Sequence, residues 1–317
     1  MKSLIFNALL MIAAVGLAHH LISRLPELKA APPAISSVSY RAVRLEDGQA
    51  PLRLAGAWEI NVADRRFTGL SALRIDQGMF LAVGDRGAVA RFDRPGAPRP
   101  RAWVADLREG PGPWGKKLAR DAESLAADPK GRGFWIGYEQ RHSLFLYDGG
   151  FRRAMGSIDL GGMRWAPNRG AEALTDADGE LLLFGENGRD SLRIAPGRTT
   201  RSKLSVPGDV ADAASAPDGS IWLLLRSKGL DGISQSIAPL RHGNEGLVTG
   251  PAIPLPKGRF DNYEGMAIEQ RPGGGWRFWL VTDDGHRLFA RTLLVALDLD
   301  YAHAKSPAPG AGPSATP

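Results

Sequence analysis

At 317 residues, with 43% hydrophobic and 23% charged side chains, the chain can bury a sizeable core and does not read as a disordered protein. Its 39 glycines and 23 prolines favour many turns over long helices. With no cysteine, disulfides, thiolate zinc sites and haem thioether attachment are excluded; the net charge of +6 comes from arginines scattered along the chain, so a solvated basic surface is expected and a nucleic-acid partner is not.

The chain opens with Lys2, an apolar run from Leu4 to Ala18 broken only by Asn7, and a small-residue region at Ala30, Ala31 and Ala34. That order is a signal-peptide pattern over residues 1–30. The run is shorter than the roughly 20 residues that span a bilayer, although extension through Leu21 and Ile22 keeps an uncleaved anchor as the alternative. The expected location is periplasmic or secreted, with membrane contact only through that segment. Residues 31–38 and 303–317, rich in Pro, Ala, Ser and Gly, read as a linker and a disordered tail, which leaves 39–302 as the folded part.

Inside it, five segments repeat. Each has a short apolar strand, a turn and a second apolar strand: Gly69-Leu70-Ser71-Ala72-Leu73 leads to Phe80–Asp85, Ala122-Glu123-Ser124-Leu125-Ala126 to Phe134–Glu139, and Ala171-Glu172-Ala173-Leu174 to Leu181–Glu186. Ala211-Asp212-Ala213-Ala214 then leads to Ile221–Arg226, and Tyr263-Glu264-Gly265-Met266-Ala267 to Phe278–Asp283. Asp178-Gly179 and Asp218-Gly219 are strong hairpin signals between such runs, and third strands follow near Ser143, Ser191 and Leu288. The anchors Ser71, Glu123, Glu172, Asp212 and Glu264 recur at roughly 40 to 52 residues, the period of propeller blades. No stretch keeps a helical apolar period over three turns without Gly or Pro. The prediction is an all-β propeller of six blades, with five or seven as alternatives, the sixth built from residues near 40–62 and a last strand near 293–300.

In an antiparallel hairpin the start of the first strand and the end of the second share one end. Glu123 therefore meets Glu139, Glu172 meets Glu186, Glu264 meets Asp283 or Asp284, and Ser71 meets Asp85, all at one mouth of the channel. Crowded carboxylates require compensation. One solution is a hard cation such as Ca²⁺, with Asn168, Asn187 and Asn262 as further oxygen donors. The other is internal arginine from Arg86, Arg141, Arg169, Arg189 or Arg226. His142 and His286, a few residues past the closing acids, are candidate proton carriers. Trp135, Trp222, Trp276 and Trp279 are expected in the core. No serine-hydrolase elbow, zinc-protease helix or phosphate-binding loop motif is present.

The stretches Gly69–Leu73 with Leu81–Gly87, Asp121–Ala126 with Phe134–Ile136, and Asn262–Ala267 with Thr282–Asp284 resemble the phytase-like propeller domain described as "esterase-like activity of phytase". The family places glycine where Ala72, Ser124 and Ala173 stand, and serine where Gly84 stands. The resemblance implies an exported bacterial propeller acting on phosphate or carboxylic esters with Ca²⁺. In that reading Glu123, Glu172, Glu264 and Asp85 are metal ligands, Glu186 or Asp283 is the base, and Arg86 steadies negative charge. The alternative is a non-catalytic periplasmic propeller that binds a small ligand or partner protein. In either case a monomer is expected, and the ligand of the first is a small ester or phosphate.

Overall fold

The computed structural model describes residues 30–45, 50–114, 120–166, 169–229, 232–256, 261–285 and 290–300. Residues 1–29 of the expected leader and the whole of the expected tail lie outside the described residues.

Two strands come first, β1 (Ala34–Ala42) and β2 (Leu52–Val62). Four antiparallel strands then recur: β3 (Leu70–Asp76), β4 (Met79–Gly84), β5 (Ala88–Phe92) and β6 (Arg101–Asp106); β7 (Ala122–Ala127), β8 (Gly133–Tyr138), β9 (Ser143–Asp148) and β10 (Ala154–Asp159); β11 (Ala171–Ala177), β12 (Glu180–Gly185), β13 (Asp190–Ala195) and β14 (Arg198–Ser205). A fourth unit holds β15 (Asp209–Ser215), β16 (Ile221–Gly229) and β17 (Gly232–Gly243), with β18 (Gly246–Thr249) and β19 (Ile253–Pro254) beside β17. The last comprises β20 (Tyr263–Gln270), β21 (Trp276–Thr282) and β22 (Leu293–Leu299). Among the described residues, Gly161–Met163 forms the one helical element, a 3₁₀ turn.

The innermost strands pack in a closed ring, β3 on β7, β7 on β11, β11 on β15, β15 on β20, and β20 back on β3. The blade count among the described residues is therefore five. The expected sixth blade does not form, because β2 pairs with β22, which pairs with β21, so both strands complete the fifth sheet. The first part of β1 pairs with β6 in blade one and the second part with β2 in blade five. Residues 34–38, expected in a linker, are thus the strand that clasps the first blade to the last. Closing the ring this way leaves fewer sheet edges open.

Each blade is covered on both faces by its neighbours, which is why strands such as Leu181–Phe184 and Trp222–Leu225 are continuously apolar and buried. Phe80 of blade one meets Trp279 of blade five edge-on at 5.0 Å, and Trp222 of blade four meets Phe278 of blade five in the same way at 5.0 Å. The four expected core tryptophans are all buried. Asp178-Gly179 makes the two-residue turn expected of it, both residues having positive φ (52° and 79°) between Ala177 and Glu180.

Candidate functional site at the channel mouth

One residue near the start of every innermost strand has no partner across its hairpin: Ser71, Glu123, Glu172, Ala211 and Glu264. This is a β-bulge repeated five times. A bulge inserts one residue and re-aims its side chain, and here Ser71, Glu123, Glu172 and Glu264 line a cavity of about 250 Å³. Asp121, Glu139, Glu186, Arg226 and Asp283 complete its wall. The predicted meeting of Glu123 with Glu139, Glu172 with Glu186, and Glu264 with Asp283 at one mouth is what the structure shows.

In the fourth unit the pattern shifts by one residue. Ala211, not Asp212, occupies the bulge, because Val210 pairs with Leu225 and Asp212 with Leu224. Asp212 is 1% exposed and turns from the mouth into the ring, accepting N–H bonds from Ala213 at 2.8 Å and from Met266 of β20 at 2.6 Å. Burial pushes its pKa well above the carboxylate range, against the pull of the Met266, Ala213 and Leu73 amides. Ser124 holds the same post-bulge position in blade two and donates to Ala171 O of blade three at 2.7 Å. These side chains fasten blade to blade.

Blade one also withdraws its acid. The Asp85 carboxylate fills the space where a side chain at Gly69 would stand, and Gly69 has φ +60°, so glycine is required there. Asp85 and Arg86 are buried but outside the cavity lining. Burial lowers the Arg86 pKa, with Asp85 opposing. Asp284 accepts hydrogen bonds from Thr68 and Thr292, a structural post.

Arg226 stands where the other blades place an acid, and it is the cation on the cavity wall among the described residues. Its guanidinium bonds Glu264, lies 3.1 Å from Glu186 and 3.6 Å from Glu172, and is about 10% exposed. Burial opposes its charge, but Glu264, Glu172 and Glu186 outweigh burial and raise its pKa above the arginine range. Burial and the neighbouring Glu264 push Glu172 well above the ordinary carboxylate value, with Arg226 pulling back. Glu264 rises to about 7, driven by burial and by Asp283 and Glu186, against Arg226 and the Asn262 amide.

The other half of the mouth has a different composition. Asp121, Glu123 and Glu139 each place a carboxylate oxygen within 4.8 Å of the others. Asp121 enters because Glu139 N–H donates to Asp121 O at 2.9 Å, continuing the hairpin one pair past the bulge. Sequence reasoning did not single out Asp121 as a site residue, although its place two residues before Glu123 was the available signal. Of the two arrangements foreseen for the crowded acids, Glu172, Glu186 and Glu264 show the arginine one, while Asp121, Glu123 and Glu139 are a donor set suited to a hard cation. His142 does not line the cavity; its ring lies edge-on to Trp165 at 5.9 Å. His286 and Asn168 lie outside the described residues, and Asn187 Oδ1 accepts the Arg189 N–H in a turn.

A closed five-bladed propeller with a carboxylate-lined channel mouth is the class that fold and site define. Residues 65–286 match the model of the family described as Phytase-like, "Esterase-like activity of phytase", and the chain belongs to that family. No curated protein matches it. Among solved structures it is similar to Myxococcus xanthus glutaminyl cyclase, at 15% identity over 78% of this chain and 97% of that one with a TM-score of 0.49. A Bacteroides thetaiotaomicron protein of unknown function is 11% identical over 84% of this chain and 76% of that one, with a TM-score of 0.45. Similarities this distant transfer no ligand and no chemistry.

Proposed function

We propose that this phytase-like propeller binds a divalent cation, Ca²⁺ by donor chemistry, at Asp121, Glu123 and Glu139, and hydrolyses a small phosphate or carboxylic ester at the same mouth. The observation that carries the reading is the clustering of three carboxylates at the mouth. Among the described residues seven carboxylates line the cavity, and the Arg226 guanidinium engages Glu172, Glu186 and Glu264. Asp121, Glu123 and Glu139 bring one carboxylate oxygen each within 4.8 Å of one another, a set of hard oxygen donors.

A cation bound there would polarise an ester oxygen and acidify a bound water. The chain's own contribution is proton handling and positioning. Glu264, with a pKa of about 7, can hold or release a proton at neutral pH, as a general acid or base must. Asp283, expected as a base, lies close enough to raise Glu264. Glu186, the other expected base, is held by Arg226, and Arg226 rather than Arg86 is the guanidinium at the mouth. Export to the periplasm or beyond belongs to the same proposal and rests on the apolar segment from Leu4 to Ala18.

Calorimetric titration with Ca²⁺, run beside turnover of generic phosphate and acyl esters, tests this. Wild type is expected to bind the cation, and Glu123→Gln to weaken binding by about tenfold or more with loss of turnover. No cation binding by wild type refutes the proposal. Cation binding without turnover of any ester supports the second reading, a cation-dependent binding propeller, which the arginine-satisfied half of the mouth favours.

A further inference from the structure

The chain enters the propeller through a clamp that has no part in the mouth. Asp106, the last residue of β6, has a fully buried side chain (0% exposed), and Arg66 Nη1 lies 3.0 Å from its Oδ1. Arg66 also holds Asp64 at 2.6 Å. The second Asp106 oxygen accepts the backbone N–H of Ala31 at 2.8 Å. Arg66 donates to the carbonyls of Ala31 and Pro32, each at 3.2 Å, and Arg108 reaches the Ala31 carbonyl at 3.3 Å.

The local sequence explains why side chains take over here. Pro32 and Pro33 have no N–H, so β1 cannot pair with β6 until Ala34 stands opposite Val104. What the prolines do not explain is the charge. Asp64, Asp106 and Arg66 sum to one negative charge, and a wholly buried carboxylate oxygen faces the Ala31 nitrogen. Arg108 is exposed and bonds the carbonyl, not Asp106. Ala30, the next residue outward, is exposed, and the leader pattern ends at that residue.

We propose that the chain is cut between Ala30 and Ala31 and that the new α-ammonium of Ala31 is captured by Asp106. A processing peptidase adds one water to the Ala30–Ala31 bond. Ala30 leaves as a carboxylate, and the Ala31 amine takes up a proton. The ammonium replaces a neutral amide donor with a charged one at the same position, and charge-assisted bonds to carboxylate are roughly twice as strong. It also balances the surplus negative charge. Asp106 faces the nitrogen, Arg66 and Arg108 bond the Ala31 carbonyl, and Asp64 is held by Arg66. An α-amine titrates near about 8, and pairing with Asp106 raises that value. The stabilisation is therefore complete below about pH 8 and disappears as pH rises through the raised pKa.

The test uses the full chain, leader included, produced in an exporting bacterial host, with the N-terminus of the recovered protein read by mass spectrometry. Ala31 is the expected first residue. Melting is then followed from pH 7 to pH 10 for wild type and Asp106→Asn. Wild type should lose about 2–4 °C more than the variant across that range. Recovery of protein that begins at any other residue, Met1 included, overturns the proposal. So do parallel melting profiles for the two proteins, because the Arg66 guanidinium keeps its charge throughout that range.

Discussion

Arg226→Met removes the guanidinium from the cavity wall and leaves Glu172, Glu186 and Glu264 facing each other. Breaking a buried ion pair by deleting one partner costs about 3–5 kcal/mol. At about 2–4 °C per kcal/mol for a domain of this size, the Tm should fall by on the order of 10 °C. The pH dependence is the sharper part. Glu264 is raised from the ordinary 4.5 to about 7, so the folded state binds more protons than the unfolded state between those values. Stability from this group is complete below about pH 4.5 and is lost as pH rises through 7, at about 1.4 kcal/mol per unit, or ~3 kcal/mol in all. Glu172 shifts in the same direction. At pH 5 Glu264 is largely protonated and leans little on Arg226; at pH 8 it is ionised and depends on it. Arg226→Met should therefore cost more at pH 8 than at pH 5, and adding Glu264→Gln should recover part of the loss at pH 8. Thermal melts of the three proteins at both pH values decide it. An equal loss at the two pH values, or a double variant no better than the single, refutes the account of the mouth as an arginine-held acid cluster.

Asp212→Ala leaves the buried Met266 and Ala213 amides without their acceptor, at about 1–3 kcal/mol for each orphaned group; a urea midpoint unchanged from wild type would contradict its role between blades. Gly265→Ala sets a Cβ 2.8 Å from Ala72 C and Leu73 N of the neighbouring innermost strand, backbone that has little room to yield. Overpacking of this kind costs about 1–3 kcal/mol, and denaturant unfolding should show it, while Gly78→Ala at an open turn should show only backbone strain at φ +82°.

Much of the site was legible because hairpin geometry is local. Glu123 and Glu139, Glu172 and Glu186, and Glu264 and Asp283 could be paired from strand ends alone, since an antiparallel turn brings those ends together whatever the register. The fourth unit was misaligned for a reason that apolar pattern cannot show. A bulge adds one residue without changing the run of apolar side chains, so Asp212 read as the anchor while Ala211 held the place. Aligning Val210 with Leu70, Ala122, Ala171 and Tyr263 would have found it. Asp85 was placed at the mouth by the same hairpin argument, but the space above Gly69, visible only in three dimensions, draws its carboxylate away.

By itself the sequence determined the all-β repeat, the propeller class, its family, and the gathering of acids at one end, because these follow from periods and strand ends within single blades. The number of blades, the clasp made by β1 and the division of the mouth between Arg226 and the Asp121, Glu123 and Glu139 trio were decided by the tertiary structure. Each depends on contacts between blades, between the first and last strands or across the channel, where no local period of the chain reports which residues will meet.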